Sequence, residues 1–119
     1  MGCIVMNSFS VAFPVLPGKE QAGRKFAETC AGPRRNECVE YLKRVGITKE
    51  TWHLQSTPMG SFVLVYIEAA DPAKSFQILA ESKHPFDVWF KDQVMQVSGQ
   101  DLNKPMQGTP SEQIFNMSL

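Results

Sequence analysis

The stretch TWHLQSTPMGSFVLVYIEA, residues 51 to 69, constrains the fold more than any other part of the chain. Residues 51 to 57 alternate in polarity, the signature of a half-buried strand. Residues 62 to 69 are almost entirely apolar and rich in β-branched and aromatic types, as a central strand requires. Between them Pro58 and Gly60 punctuate a short turn, so the two strands are antiparallel neighbours. A loop from Pro58 to Ser61 predicts that Thr57 pairs with Phe62, Gln55 with Leu64 and His53 with Tyr66. That register gathers Trp52, Leu54, Val63, Val65 and Ile67 on one apolar face packed against helices. His53, Gln55 and Tyr66 then line the opposite, open face. A loop one residue shorter would pair His53 with Val65, and each polar group buried unpaired costs about 1–3 kcal/mol.

The rest of the chain supplies partners for that hairpin. Residues 8 to 16, SFSVAFPVL, alternate as a strand, with Pro14 near its end because it lacks an N–H. From Lys19 the period becomes helical: Ala22, Phe26 and Cys30 are spaced by four, and Cys38, Leu42 and Val45 continue the stripe. Gly32-Pro33 interrupts it, so residues 19 to 45 are one kinked helix or two successive ones, with Gly46 as the left-handed cap. Asp71-Pro72 starts a helix whose inner face is Phe76, Leu79 and Ala80. Lys83-His84-Pro85 stops it. Another helix covers 85 to 98, capped by Gly99, and its Asp87–Lys91 pair belongs on a solvated face. Residues 100 to 111 read as a loop and EQIFNMSL, 112 to 119, as a last strand. The predicted order is β-α-β-β-α-β, a ferredoxin-like α+β fold with a four-stranded antiparallel sheet and helices on one face. Residues 8–119 form this one domain, and residues 1–7 form a disordered leader.

Composition narrows the functional classes. The chain has 119 residues, with 12 Lys plus Arg against 12 Asp plus Glu. A balanced charge lacks the basic footprint of nucleic-acid binding and gives little repulsion between copies. The 3 cysteines, Cys3, Cys30 and Cys38, include no CxxC pair, which argues for free thiols in a cytoplasmic setting and against a disulfide framework or a metal site. No apolar run approaches the roughly 20 residues of a membrane span. Gly2-Cys3 resembles a lipidated start, but Met6 stands where that motif wants Ser or Thr.

Six residues are ligand-binding candidates. Trp89 and His84 belong to HPFDVWFKDQV, residues 84 to 94, where Phe86, Phe90, Val94 and Val97 form a helical stripe; the plainer reading of this stripe is a buried helix face. Arg34 and Arg35 begin a helix and suit a carboxylate or phosphate, unless they pair with Glu37. His53 and Tyr66, across the hairpin, offer a general base and a hydrogen-bond donor, or a polar pair in a dimer interface. No serine elbow, Cys-His nucleophile, phosphate loop or metal cluster is present, so no cofactor is expected.

The order and size of the elements resemble the dimeric α+β barrel superfamily, whose subunits pack sheet against sheet. LPGK at 16–19, AGPRR at 31–35, PFDVWFK at 85–91 and GQDL at 99–102 resemble, more closely, a small bacterial family of unknown function. The resemblance implies a homodimer built through the open sheet face, with no assigned catalytic residue. Haem-degrading members of the superfamily use Asn, Trp and His; Asn7, Trp89 and His84 are of those types, but Asn7 falls before the first strand and His84 precedes a proline. The expectation is a cytoplasmic homodimer binding a small organic molecule. The alternatives are a cofactor-independent monooxygenase or isomerase acting on an aromatic or quinone-like compound, and an interaction module without catalysis.

Overall fold

The computed structural model describes residues 7–105 and 111–119. The leader expected at 1–7 lies outside the described residues except for Asn7, which opens the first strand and donates to the Ala70 carbonyl at 3.0 Å. The elements run β1 (Asn7–Pro14), α1 (Glu20–Ala31), α2 (Arg35–Val45), β2 (Ile47–Thr57), β3 (Gly60–Ala69), α3 (Pro72–Glu81) and α4 (Pro85–Ser98). Gly32 and Pro33 thus divide the helical stretch into two helices. A Cβ at Gly32 would sit 3.0 Å from the Glu28 carbonyl oxygen, so the corner between them is closely packed.

The sheet has three strands, ordered β1-β3-β2 and antiparallel throughout. This overturns the expected four-stranded ferredoxin-like sheet. Residues 111–119 form no strand; their apolar members Ile114, Phe115, Met117 and Leu119 are exposed. The segment touches the edge of β1 through Ser111, whose Oγ accepts from the Ser10 N–H at 3.0 Å. Its physical handicap is cover: the helices pack on the sheet face that carries Trp52 and Val65, and among the described residues no element stands over the tail to bury its side chains. A strand pattern without an apolar surface to sit on gains little from edge hydrogen bonds alone.

The face assignment of the hairpin is correct and the pairing is not. Trp52 lies opposite Val65, Leu54 opposite Val63, His53 opposite Leu64 and Thr57 opposite Gly60. The connection is therefore Pro58-Met59, two residues shorter than expected, with Gly60 at φ 118°. A slip of two preserves which side each residue faces, because the strand period is two. Trp52 therefore packs under the helices, with ring centroids 4.9 Å from Phe26 and 5.9 Å from Phe90, while His53 is exposed.

Strand β2 also begins earlier than its pattern suggested, at Ile47, and it carries a bulge. Ile47 pairs with Ala69 and Lys49 with Glu68, leaving Thr48 as the extra residue. A bulge shifts the in–out alternation by one. Both Ile47 before it and Glu50 and Trp52 after it therefore face the helices. That single irregularity carries a carboxylate into the interior.

The core is aromatic. Phe90 lies 4.6 Å from Tyr41, 5.1 Å from Phe26 and 6.2 Å from Phe86, centroid to centroid. Residues Phe86 and Phe90 of α4 are buried, as the helical stripe predicted. The Asp87–Lys91 pair is a correction: both residues are buried rather than solvated. The Asp87 carboxylate accepts from Arg44 Nη2 at 2.6 Å, Arg44 Nε at 3.1 Å and Ser82 Oγ at 2.5 Å. Lys91 Nζ donates to the carbonyls of Ala80 and Ser82, at the C-terminal end of α3. These two side chains tie α4 to α2 and to α3. Asp71 caps α3 by accepting from the Lys74 N–H, as its sequence position required.

Candidate functional site

Glu50 carries the one buried side-chain polar atom without a partner among the described residues. Its Oε1 is sealed from solvent and makes no hydrogen bond. Its Oε2 accepts from the indole Nε1–H of Trp52 at 2.5 Å. The residue keeps some exposure along its stem, but the carboxylate is in the interior. Burial pushes its pKa up to about 7, against which the Trp52 hydrogen bond pulls only partly. An unpaired buried carboxylate oxygen costs stability and asks for an explanation.

Two cavities meet at this residue. One, of about 70 Å³, lies between sheet and helices and is walled by apolar side chains such as Phe13, Val65 and Leu79. The second, of about 260 Å³, is bounded by Ala27, Cys30 and Ala31 of α1 and by Cys38, Tyr41 and Leu42 of α2. Glu50, Trp52, Tyr41 and Phe90 belong to the walls of both. The larger cavity reaches the surface beside Ala31, which is exposed, and Cys38, which is half-buried. Tyr41 is almost fully buried, and its phenol is pushed well above its ordinary value by burial and then by Glu50. The Cys30 thiol is held up, first by its hydrogen bond with Cys38 and then by burial; the Cys38 thiol is drawn down by the same hydrogen bond. Among the described residues, no group of three His, Cys, Asp or Glu is arranged to hold a metal ion.

The six residues singled out from the sequence lie elsewhere, in two groups. Arg34 spans the α2 and α4 surfaces: its guanidinium sits 4.3 Å from the Trp89 ring centroid and 5.0 Å from that of Phe86, and it binds Glu37 through two bonds of 2.9 Å. His84 caps α4 nearby, its Nδ1 accepting from the Phe86 N–H at 3.2 Å. Trp89 packs on Phe26 and Phe86. Arg35 is exposed at the first position of α2. His53 and Tyr66 lie on the open sheet face but are not opposite each other; Tyr66 faces Thr51 and donates to Glu68 at 2.6 Å. None of the six borders either cavity described above.

Sequence reasoning missed Glu50 because Thr48 breaks the alternation that would have assigned its side. The signal available was the pair Glu50 and Trp52, an acid two residues before an indole on the same strand face. Among the described residues no helix is long and apolar enough to cross a membrane. No curated protein matches the sequence. A family model does match, over residues 6–110, and on that match the chain belongs to DUF6176, a family of unknown function.

Proposed function

We propose that the cavity beneath α1 and α2 binds a small organic molecule through Glu50. The observation that carries this reading is a buried carboxylate with one unpartnered oxygen, Oε1, on a residue that borders a 260 Å³ cavity. That volume suits a compact, single-ring molecule; Trp52, Tyr41 and Phe90 offer aromatic walls, and Glu50 supplies the polar contact that fixes orientation. A ligand with a hydroxyl or amine head that draws the carboxylate toward the cavity gives Oε1 the donor it lacks. With its pKa raised to about 7, Glu50 responds to the ligand's charge: an amine favours the carboxylate, a neutral acceptor the protonated acid. The isomerase alternative draws on the same value, because a carboxyl titrating near neutrality suits proton transfer.

The test uses the Trp52 indole N–H, which reports on Glu50 directly, with the Trp89 indole as an internal control outside the cavity. Titration with phenol and with benzylamine is expected to shift the Trp52 resonance saturably in a nitrogen–proton spectrum and leave Trp89 in place. Glu50→Gln is expected to weaken the stronger of the two by about tenfold, the effect of one charge-assisted hydrogen bond. An unmoved Trp52 resonance at millimolar concentrations of both probes overturns the reading.

The same reading has two copies of this cytoplasmic protein packing through the open sheet face. Support comes from Leu64, exposed at the centre of that face, with Phe62 and Tyr66 on either side of it along β3, and from a net charge of +0 that opposes association little. Light scattering at micromolar concentration is expected to give twice the 13.3 kDa chain mass; a clean monomer mass defeats this part.

A further inference from the structure

We propose that Cys30 and Cys38 form a reversible intramolecular disulfide in the wall of the Glu50 cavity, made by reaction with a hydroperoxide. The inference stands whether or not that cavity takes a ligand. Both thiols are free and both border the same cavity, one from the last turn of α1 and one from the first turn of α2. The corner between the helices is fixed by its own hydrogen bonds: the Arg34 N–H donates to the Thr29 carbonyl at 3.0 Å, and the Arg35 N–H to the Gly32 carbonyl at 3.1 Å. With Gly32 packed on Glu28, this corner turns the chain from α1 into α2, and a cysteine of each helix borders the cavity.

The pair is asymmetric in the way a two-step oxidation needs. Cys38 is half-buried at the cavity, whereas Cys30 is buried. The more exposed Cys38 thiol is the one a hydroperoxide reaches first, which makes Cys38 the nucleophile; its lowered pKa favours the thiolate. In the first step the Cys38 thiolate attacks the distal oxygen of the hydroperoxide; the O–O bond breaks, Cys38 becomes a sulfenic acid, and the leaving alkoxide takes a proton to become an alcohol. In the second, the Cys30 sulfur attacks the Cys38 sulfur, the S–O bond breaks, and the Cys30 proton leaves with hydroxide as water. Both thiols are oxidised together by two electrons and the hydroperoxide is reduced.

Peptide mapping of the full chain tests this. Reduced protein is treated with one equivalent of hydrogen peroxide, blocked with iodoacetamide and cut with trypsin. Cleavage separates residues 26–34, which hold Cys30, from residues 36–43, which hold Cys38, while Cys3 leaves on a third peptide. The expected result is a joined 26–34/36–43 pair lighter by two hydrogens and released by dithiothreitol. In Cys30→Ser the link is lost and Cys38 is trapped as a sulfenic acid by dimedone. In Cys38→Ser peroxide consumption falls by about tenfold or more, since a buried high-pKa thiol is inert. The proposal is overturned if wild-type peptides 26–34 and 36–43 stay separate while Cys3 is modified. It is equally overturned if Cys38 runs on to sulfinic acid without joining Cys30.

Discussion

The indole of Trp52 and the carboxylate of Glu50 share one face of β2 and are joined by a hydrogen bond of 2.5 Å. It is the sole hydrogen bond the Glu50 side chain makes among the described residues, and it satisfies one oxygen of two. The bulge at Thr48 creates the relationship, since without it Glu50 would face solvent while Ile47 faced the core.

Glu50 should make stability fall as pH rises. Its folded pKa is about 7 against an ordinary 4.5, so between those values the folded state binds a proton that the unfolded state has lost. Stability therefore declines from pH 4.5 to 7, by on the order of 3 kcal/mol in full. Glu50→Gln is expected to be more stable than the parent at pH 8 by about 2–3 kcal/mol, with the difference vanishing near pH 4.5. Urea denaturation at a series of pH values measures it, and parallel curves for the two proteins would rule the burial argument out.

Asp87 should act in the opposite direction. Burial raises its pKa, but hydrogen bonds from Arg44 and Ser82 outweigh this and hold the carboxyl below its ordinary 3.8. Its contribution is complete above that value and is lost as pH falls through the lower folded pKa. Asp87→Ala strands Arg44 and the Ser82 hydroxyl and is expected to cost about 3–5 kcal/mol, as breaking a buried pair does. A double variant, Arg44→Met with Asp87→Leu, is expected to recover much of that loss. A single-variant cost below 1 kcal/mol would show the pair to be ornamental.

Phe90→Ala removes the ring around which Phe26, Tyr41, Trp52 and Phe86 assemble, and should cost about 3–5 kcal/mol. Lys91→Ala, at a position read from the sequence as solvated, should cost about 1–3 kcal/mol because it uncaps two α3 carbonyls. Thermal denaturation of both variants is the check. A negligible change in Lys91→Ala would return that residue to the surface.

Gly60 tests the hairpin register. At φ 118° it occupies backbone space that side chains avoid, and no atom lies within 4 Å of a Cβ placed there. Gly60→Ala should therefore lose about 1–2 kcal/mol from backbone strain alone, with no steric clash to relieve. If alanine is tolerated freely, the connection is longer than Pro58-Met59.

What the sequence determined by itself is local. Asp71 and Gly46 announce their helix ends because a cap needs a short acceptor or a left-handed residue at one position. The face of Trp52 and Val65 was legible because period two survives a slip of two. Phe86 and Phe90 were legible as core because period 3.6 marks one side of α4. Tertiary structure decided the rest. Asp87 and Lys91 carry charges that a helical pattern assigns to solvent, and only Arg44 on α2 and the carbonyls ending α3 make their burial tolerable. The apolar tail at 111–119 has strand-forming side chains, yet among the described residues no element stands over them. Glu50 turns inward through one extra residue, Thr48, whose hydroxyl donates to the carbonyl of Glu68 twenty residues away. Local periodicity records which side a residue prefers; which side it can occupy depends on partners distant in sequence, and at Glu50 and Asp87 the two differ.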